Sequence, residues 1–349
     1  MNRRWICSDV WMDILPSFDR RQLGLKMALL SDRFDILVDK HFDGKSELTL
    51  GKLIKINKNS GSKPELSVRI DGKFVGFPLP DRPLPNKIRF IKDLQIEYID
   101  YSVIEFLRSN KQIWDRMGTN LEFIYTDDEE PIWDVLAREI WPIFATNIRC
   151  LSFADDEQFD QLCHLSPTIL ADLDQLDSIN FEQLLLQGIA DDGLNGISVE
   201  QVLSEWLHTP TKNGKPKRLF CTDFDDDGNL DSFKETFIRA TDASVSYQIS
   251  FGVDETTTPF EPFELVNDGT NEKLTLSKEL DYNYWLLKRC PIIVGETATA
   301  IQLENKNWDD KMNNVHFDLL ADGNCIGPLS PPAAEEEDKE EEADESNED

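Results

Sequence analysis

A chain of 349 residues with 40% hydrophobic and 10% aromatic side chains is long enough for two or three structural units around a sizeable core. Its formal net charge of −31 argues against nucleic acid or an anionic membrane surface as a partner, because phosphate binding needs clustered cations. Residues 335–349 hold eleven carboxylates against one lysine, which still leaves −21 on the rest of the chain.

Six cysteines are scattered without a CxxC pair, the pattern of reduced thiols in an intracellular protein. Arg3, Arg4 and Asp9 break up any signal-like start, and no run of about 18 apolar residues follows. The expected location is the cytoplasm, the nucleus or both.

In chain order, the first elements are three short helices. Ser8 or Asp9 can cap the first, which sets Val10, Trp11, Ile14 and Leu15 on one face before Pro16 stops it. The second begins behind Ser17 or Asp19 and repeats Leu23, Met27 and Leu30 at helical spacing. The third, from Ser31 to about Phe42, carries Phe34, Leu37, Val38 and Phe42 at core spacing. Helices this short cannot enclose all these groups, so the following domain or another protein is expected to cover part of them.

Residues 47–100 read as β-rich, with a hairpin turn at Asp71 and Gly72 and a Pro-rich connection from Pro78 to Pro85. Residues 101–255 read as helix–strand units, with strands beginning near Leu121, Ile148, Leu176, Arg218 and Val245. The helical part of the third unit is placed at Pro167 to Leu173. The first three strand starts lie about 27 residues apart, within the range of leucine-rich and related αβ solenoids. Residues 258–320 return to alternating strands, with Val315 to Leu319 expected as an added edge.

The expected architecture is therefore α+β. A three-helix unit over residues 5–43 precedes an interaction domain over 47–328, built as an irregular leucine-rich-repeat-like αβ repeat or a helix-backed curved sheet. Residues 329–349 are expected to be a disordered acidic tail, because they have too few aliphatic groups to offset the entropy of ordering.

Signals for chemistry are sparse. Asp223, Asp225 and Asp227 match positions 1, 3 and 5 of a calcium loop and Gly228 matches position 6. The twelfth position, where a bidentate Glu is required, holds Lys234, so the loop reads as a decoy and no metal is assigned. The four histidines are well separated, and neither HExxH nor a GxSxG elbow occurs. Gly-rich phosphate cradles are missing too, so no cofactor and no catalytic residue is expected.

Residues 9–15, 19–23 and 29–34 together resemble an F-box: a leucine-rich helix, an Asp-x-x-x-Leu turn and a segment ending in Arg33-Phe34. Later segments, among them Trp206 to Pro210, Glu272 to Leu276 and Trp285 to Pro291, resemble the expanded nematode family of F-box proteins, so the likeness spans nearly everything before the acidic end. Family members usually open with Leu-Pro-x-Glu, where this chain has Ile6-Cys7-Ser8-Asp9.

The resemblance implies a non-catalytic substrate-receptor subunit of a Skp–cullin–F-box ubiquitin ligase. Its F-box would dock on a Skp-type adaptor, and through it on a cullin, while the αβ region holds a protein target. The implied adaptor-facing residues are Val10, Ile14, Leu15, Pro16, Leu23 and Leu30. Two alternatives stand beside this: an interaction scaffold whose helices cap the αβ domain without binding an adaptor, and an acidic calcium-binding module resting on Asp223 to Asp231.

Overall fold

The computed structural model describes residues 6–18, 22–42, 48–50, 54–59, 62–70, 72–85, 88–126, 130–166, 168–182, 199–211, 214–222, 229–241, 245–253, 260–279, 284–292, 312–319 and 325–331. Among them are nine α-helices and fifteen strands, a mixed α+β fold dominated by one large mixed sheet.

Helix α1 (Ser8–Ile14) has Cys7 as its extended N-cap residue, with no side-chain cap. Ser8 and Asp9 lie inside its first turn, where the Asp9 carboxylate suits the positive end of the helix. Pro16 sits in a 3-10 turn, Leu15–Ser17. The second expected helix is wound unevenly, as a π-helical turn (Leu23–Met27) followed by a 3-10 turn (Ala28–Leu30). Helix α2 (Asp32–Phe42) completes the unit. Trp11 meets Phe34 edge to face at 4.8 Å, pinning α1 on α2. Leu15, Leu23, Leu37, Val38 and Phe42 are buried in the same hydrophobic core as the sheet, so these helices are packed onto the rest of the chain.

Next come β1 (Leu48–Leu50), β2 (Ile54–Asn57), β3 (Glu65–Ile70), β4 (Lys73–Pro78), β5 (Ile88–Ile91) and β6 (Asp93–Ile96). The β3–β4 hairpin turns where expected, and Gly72 takes the left-handed φ of 81° that a two-residue turn requires. Helices α3 (Tyr101–Ser109) and α4 (Lys111–Arg116) lead to β7 (Thr119–Thr126). Buried Asn110 ties α3 to the Pro-rich connection: its Oδ1 accepts from the Leu84 N–H at 2.7 Å, and its Nδ2 donates to the Phe106 carbonyl.

Helices α5 (Glu130–Val135) and α6 (Trp141–Phe144) precede β8 (Ile148–Phe153), and α7 (Asp156–Leu165) precedes β9 (Ser178–Phe181). The third unit's helix is thus α7, not the stretch from Pro167 to Leu173, which forms turns from 168 onward. Asp155 fixes its start, accepting from the Gln158 N–H at 3.0 Å. Then follow α8 (Val199–Leu207), β10 (Lys217–Cys221), α9 (Asn229–Arg239), β11 (Tyr247–Gly252), β12 (Phe263–Asn267), β13 (Glu272–Lys278), β14 (Tyr284–Pro291) and β15 (Asn313–Leu319).

Thirteen of these strands form one sheet in the order β12-β13-β14-β11-β10-β9-β8-β7-β15-β6-β2-β3-β4, while β1 and β5 pair apart from it. From β11 through β2 every pairing is parallel, and antiparallel strands finish both ends. The largest departure from the sequence reading is β15. It is an interior strand, parallel to β6 on one side and β7 on the other, and not an edge. Asn313 locks its start: its Oδ1 accepts from Ile91 N–H at 3.0 Å and its Nδ2 donates to the Ile113 carbonyl at 3.2 Å.

One face of the sheet is closed by aromatic packing. Phe317, Phe123, Phe153 and Phe181 are paired in register on four adjacent strands, with centroids 5.5, 5.4 and 5.5 Å apart and nearly parallel rings. Phe159 of α7 meets this ladder edge to face and Trp133 of α5 lies tilted against it, so the helices cover this side.

Candidate functional site

Strand alternation puts the intervening residues on the other face, where all those in the rows below except buried Cys150 remain partly exposed. Strand register then lines them up in rows. One row runs Lys55, Gln95, His316, Glu122, Ser152, Asn180, Phe220, Ser250 and Leu286. The next runs Asp93, Asn314, Asn120, Cys150, Ser178, Arg218, Gln248 and Lys288.

Short amides and hydroxyls in the middle bond sideways from strand to strand. Asn180 donates to Ser152 Oγ at 3.2 Å, Ser152 to Asn120 Oδ1 at 3.4 Å, and Asn120 to Asn314 Oδ1 at 3.4 Å. At the β6–β15–β7 end, His316 Nδ1 lies 2.5 Å from Glu122 Oε2 and its Nε2 lies 4.0 Å from Asp93. Gln95 there donates to Asp318 at 2.6 Å. A depression of about 530 Å³ lies over β7 to β11 and is lined by Asn120, Arg149, Asn180, Arg218, Phe220 and Gln248, among others. Such a polar, hydrogen-bonding surface with a few aromatic groups can hold another chain; no group of three or more His, Cys, Asp or Glu suited to a metal occurs among the described residues.

The expected adaptor-facing residues divide into two sets. Leu15 and Leu23 are 0% and 1% exposed and point into the core, whereas Val10 and Leu30 are 45% and 59% exposed. Pro16 is exposed and Ile14 half-buried. Four of the nine large apolar side chains found exposed among the described residues are Ile6, Val10, Leu30 and Ile36, a concentration within one small unit. Beside it a groove of about 430 Å³ separates Leu25, Leu29 and Leu30 from Val75 and Phe77 of β4, the sheet's last strand. Asp223, Asp225 and Asp227 lie outside the described residues. No helix among those described is long and apolar enough to cross a membrane.

A buried polar cluster under α8 and α9 was not singled out from the sequence. Lys217, 4% exposed, donates to the Trp206 carbonyl in the last turn of α8, with its ammonium 5.0 Å from the Trp206 ring centroid. Arg289 and Glu272, 2% and 0% exposed, form a fully buried ion pair at 2.7 Å. Burial lowers the pKa of His208. Lys217 also lines a cavity of about 220 Å³ with Trp206, Leu173 and Val202.

Burial lowers the Lys217 pKa from 10.5 to about 8. Between those values the unfolded chain keeps a proton that the folded chain has released, so this residue's contribution to stability rises with pH. Cys163, pushed up from 9.0 to about 12, and Tyr247, also raised by burial, act the opposite way at alkaline pH. Comparison with Lys217→Met cancels those two. The stability of the native chain minus that of the variant should increase from pH 7.5 to pH 9.5 in urea unfolding, and a flat difference would refute the assignment.

Comparison of the chain with family models, with curated proteins and with solved structures found no match.

Proposed function

We propose that the chain is a non-catalytic substrate-receptor subunit of a Skp–cullin–F-box ubiquitin ligase, with a three-helix F-box followed by a leucine-rich-repeat-like αβ domain. The N-terminal helices dock on a Skp-type adaptor, and the uncovered face of the sheet holds the protein target. The observation that carries this reading is the concentration of exposed apolar side chains on the N-terminal unit, with Val10 and Leu30 at two of the F-box positions. The parallel strands backed by helices suit an αβ repeat, whose open face is a common surface for another chain. In this reading Leu15 and Leu23 anchor the unit to its own domain, and Val10, Pro16 and Leu30 face the adaptor.

Capture of the full chain by immobilised Skp-type adaptor tests the proposal. Val10→Asp with Leu30→Asp should abolish capture while leaving the melting temperature near that of the native chain, since each anchor is worth about 1–4 kcal/mol at an interface. Leu15→Ala should act differently, costing about 2–5 kcal/mol of stability through the cavity it leaves. Failure of the native, folded chain to bind adaptor rejects the ligase reading.

One observation favours the scaffold alternative. Leu15 and Leu23 share the hydrophobic core of the sheet, as expected of helices that cap a domain. Under that reading neither the native chain nor the Val10 and Leu30 variants capture adaptor, and the open face remains the interaction surface.

A further inference from the structure

Strand parity sends Lys217 to the helix-covered side of the sheet, away from the face assigned above to a protein target. There it lies 4% exposed at a cavity of about 220 Å³ between α8, β10 and the turns that follow α7. Leu170, Leu173, Leu176, Val202 and the Trp206 ring supply apolar walls, whereas Asp174 and Glu205 stand exposed at the rim. The hydroxyls of the wall are already engaged: Thr209 Oγ1 donates to the Glu205 carbonyl at 2.6 Å, and Thr211 Oγ1 to the Lys215 carbonyl at 2.5 Å.

Lys217 differs from them. An ammonium has three N–H donors, and this one makes a single hydrogen bond, to the Trp206 carbonyl; no second acceptor meets it among the described residues. Burial alone lowers its pKa, with no carboxylate of the chain beside it to hold the charge. A buried cation in this position destabilises the fold until an anion reaches it, and the attraction between the two is strongest where water is excluded. One ammonium matches one negative charge, and the apolar walls match a hydrocarbon body. A phosphate would bring more charge and more acceptor oxygens than one ammonium can meet. An apolar cavity of about 150 Å³ is enough for benzene, so this larger one admits a single ring or a short branched chain bearing a carboxylate.

We propose that the cavity under α8 binds a small apolar monocarboxylate, with the carboxylate on the Lys217 ammonium and the hydrocarbon body against Trp206, Leu173 and Val202. The site lies apart from the N-terminal unit and the uncovered sheet face, so it holds or fails independently of the ligase reading. The chain's overall charge of −31 and the rim carboxylates oppose an anion at long range. Screening limits that opposition, since the Debye length is about 8 Å at physiological salt, so the buried ammonium dominates once the ligand is seated.

Ligand-observed NMR titration of the full chain with benzoate tests the inference. Benzoate should bind with a Kd of about 1 mM or lower, and about tenfold or more tightly than benzyl alcohol or benzylamine, which share its ring but not its charge. Raising the pH from 7 to 9 should weaken benzoate about tenfold, because Lys217 loses its proton near pH 8 while the ligand stays anionic. The neighbouring His208, whose pKa burial lowers, and Tyr247, whose pKa burial raises, are both neutral across that range and do not supply the change. Lys217→Met should abolish binding in a chain that thermal melts show to be folded; if that variant does not fold, the analogue series and the pH profile of the native chain decide alone. No binding at about 10 mM benzoate, equal affinity for benzyl alcohol, an affinity independent of pH, or binding retained by folded Lys217→Met overturns the proposal.

Discussion

Phe317→Ala should lower the stability of the protein by about 3–5 kcal/mol, the range for truncating a fully buried aromatic residue. Phe317 is 0% exposed at the centre of β15, stacked on Phe123 and paired with Ile96 on the other side. Its removal opens a cavity between the two halves of the sheet, where the surrounding strands cannot collapse without breaking register. Folding free energies are typically about 5–15 kcal/mol, so the loss is a large share of the total. Phe317→Leu, which retains more of the volume, should cost markedly less. Urea unfolding of the three proteins checks the order, and a loss under about 1 kcal/mol for Phe317→Ala would show that β15 is not an interior strand.

Arg289→Leu should cost about 3–5 kcal/mol for a different reason, because it leaves the Glu272 carboxylate buried without its cation. Arg289 Nε and Nη2 both donate to Glu272 Oε2, at 3.0 and 2.7 Å, and the guanidinium also lies 5.4 Å from the Phe237 ring. The double variant Arg289→Leu with Glu272→Leu should be more stable than Arg289→Leu alone, since it removes the stranded charge. A double-mutant cycle measured by denaturant unfolding decides the matter. Additive costs would mean that the pair does not act as a unit.

Both residues could be located in part from the sequence. In β14, Arg289 shares the parity of Trp285 and Leu287; in β13, Glu272 shares that of Leu274 and Leu276. Each therefore had to point inward with its apolar neighbours. Lys217 is similar, since Leu219 and Cys221 fix the inward parity of β10. What alternation could not provide was the partner. Glu272 comes within reach of Arg289 only because β13 and β14 pair in the register that sets Leu274 opposite Arg289, and the Trp206 carbonyl reaches Lys217 only because α8 ends above it.

The proposed interaction surfaces were legible to differing degrees. Apolar spacing in the N-terminal helices identified a unit with more hydrophobic residues than it could enclose. Which of them turn outward followed from packing against the sheet, and it sent Leu15 and Leu23 inward and left Val10 and Leu30 exposed. The rows of the uncovered sheet face draw their residues from segments far apart in the chain, so no local motif announced them.

By itself the sequence determined the acidic balance and the inward parity of strands such as β10, β13 and β14, while the helix of the third unit was placed too late in the chain. These depend on composition and on periods of two and 3.6 residues, which are local properties. Only the tertiary structure decided that β15 is inserted between β6 and β7, that four phenylalanines stack in one ladder, and that Arg218 and Lys288 share a row. Pairing of distant strands rewards contacts between residues far apart in the chain, and alternation within a single strand suits an edge and an interior place equally well.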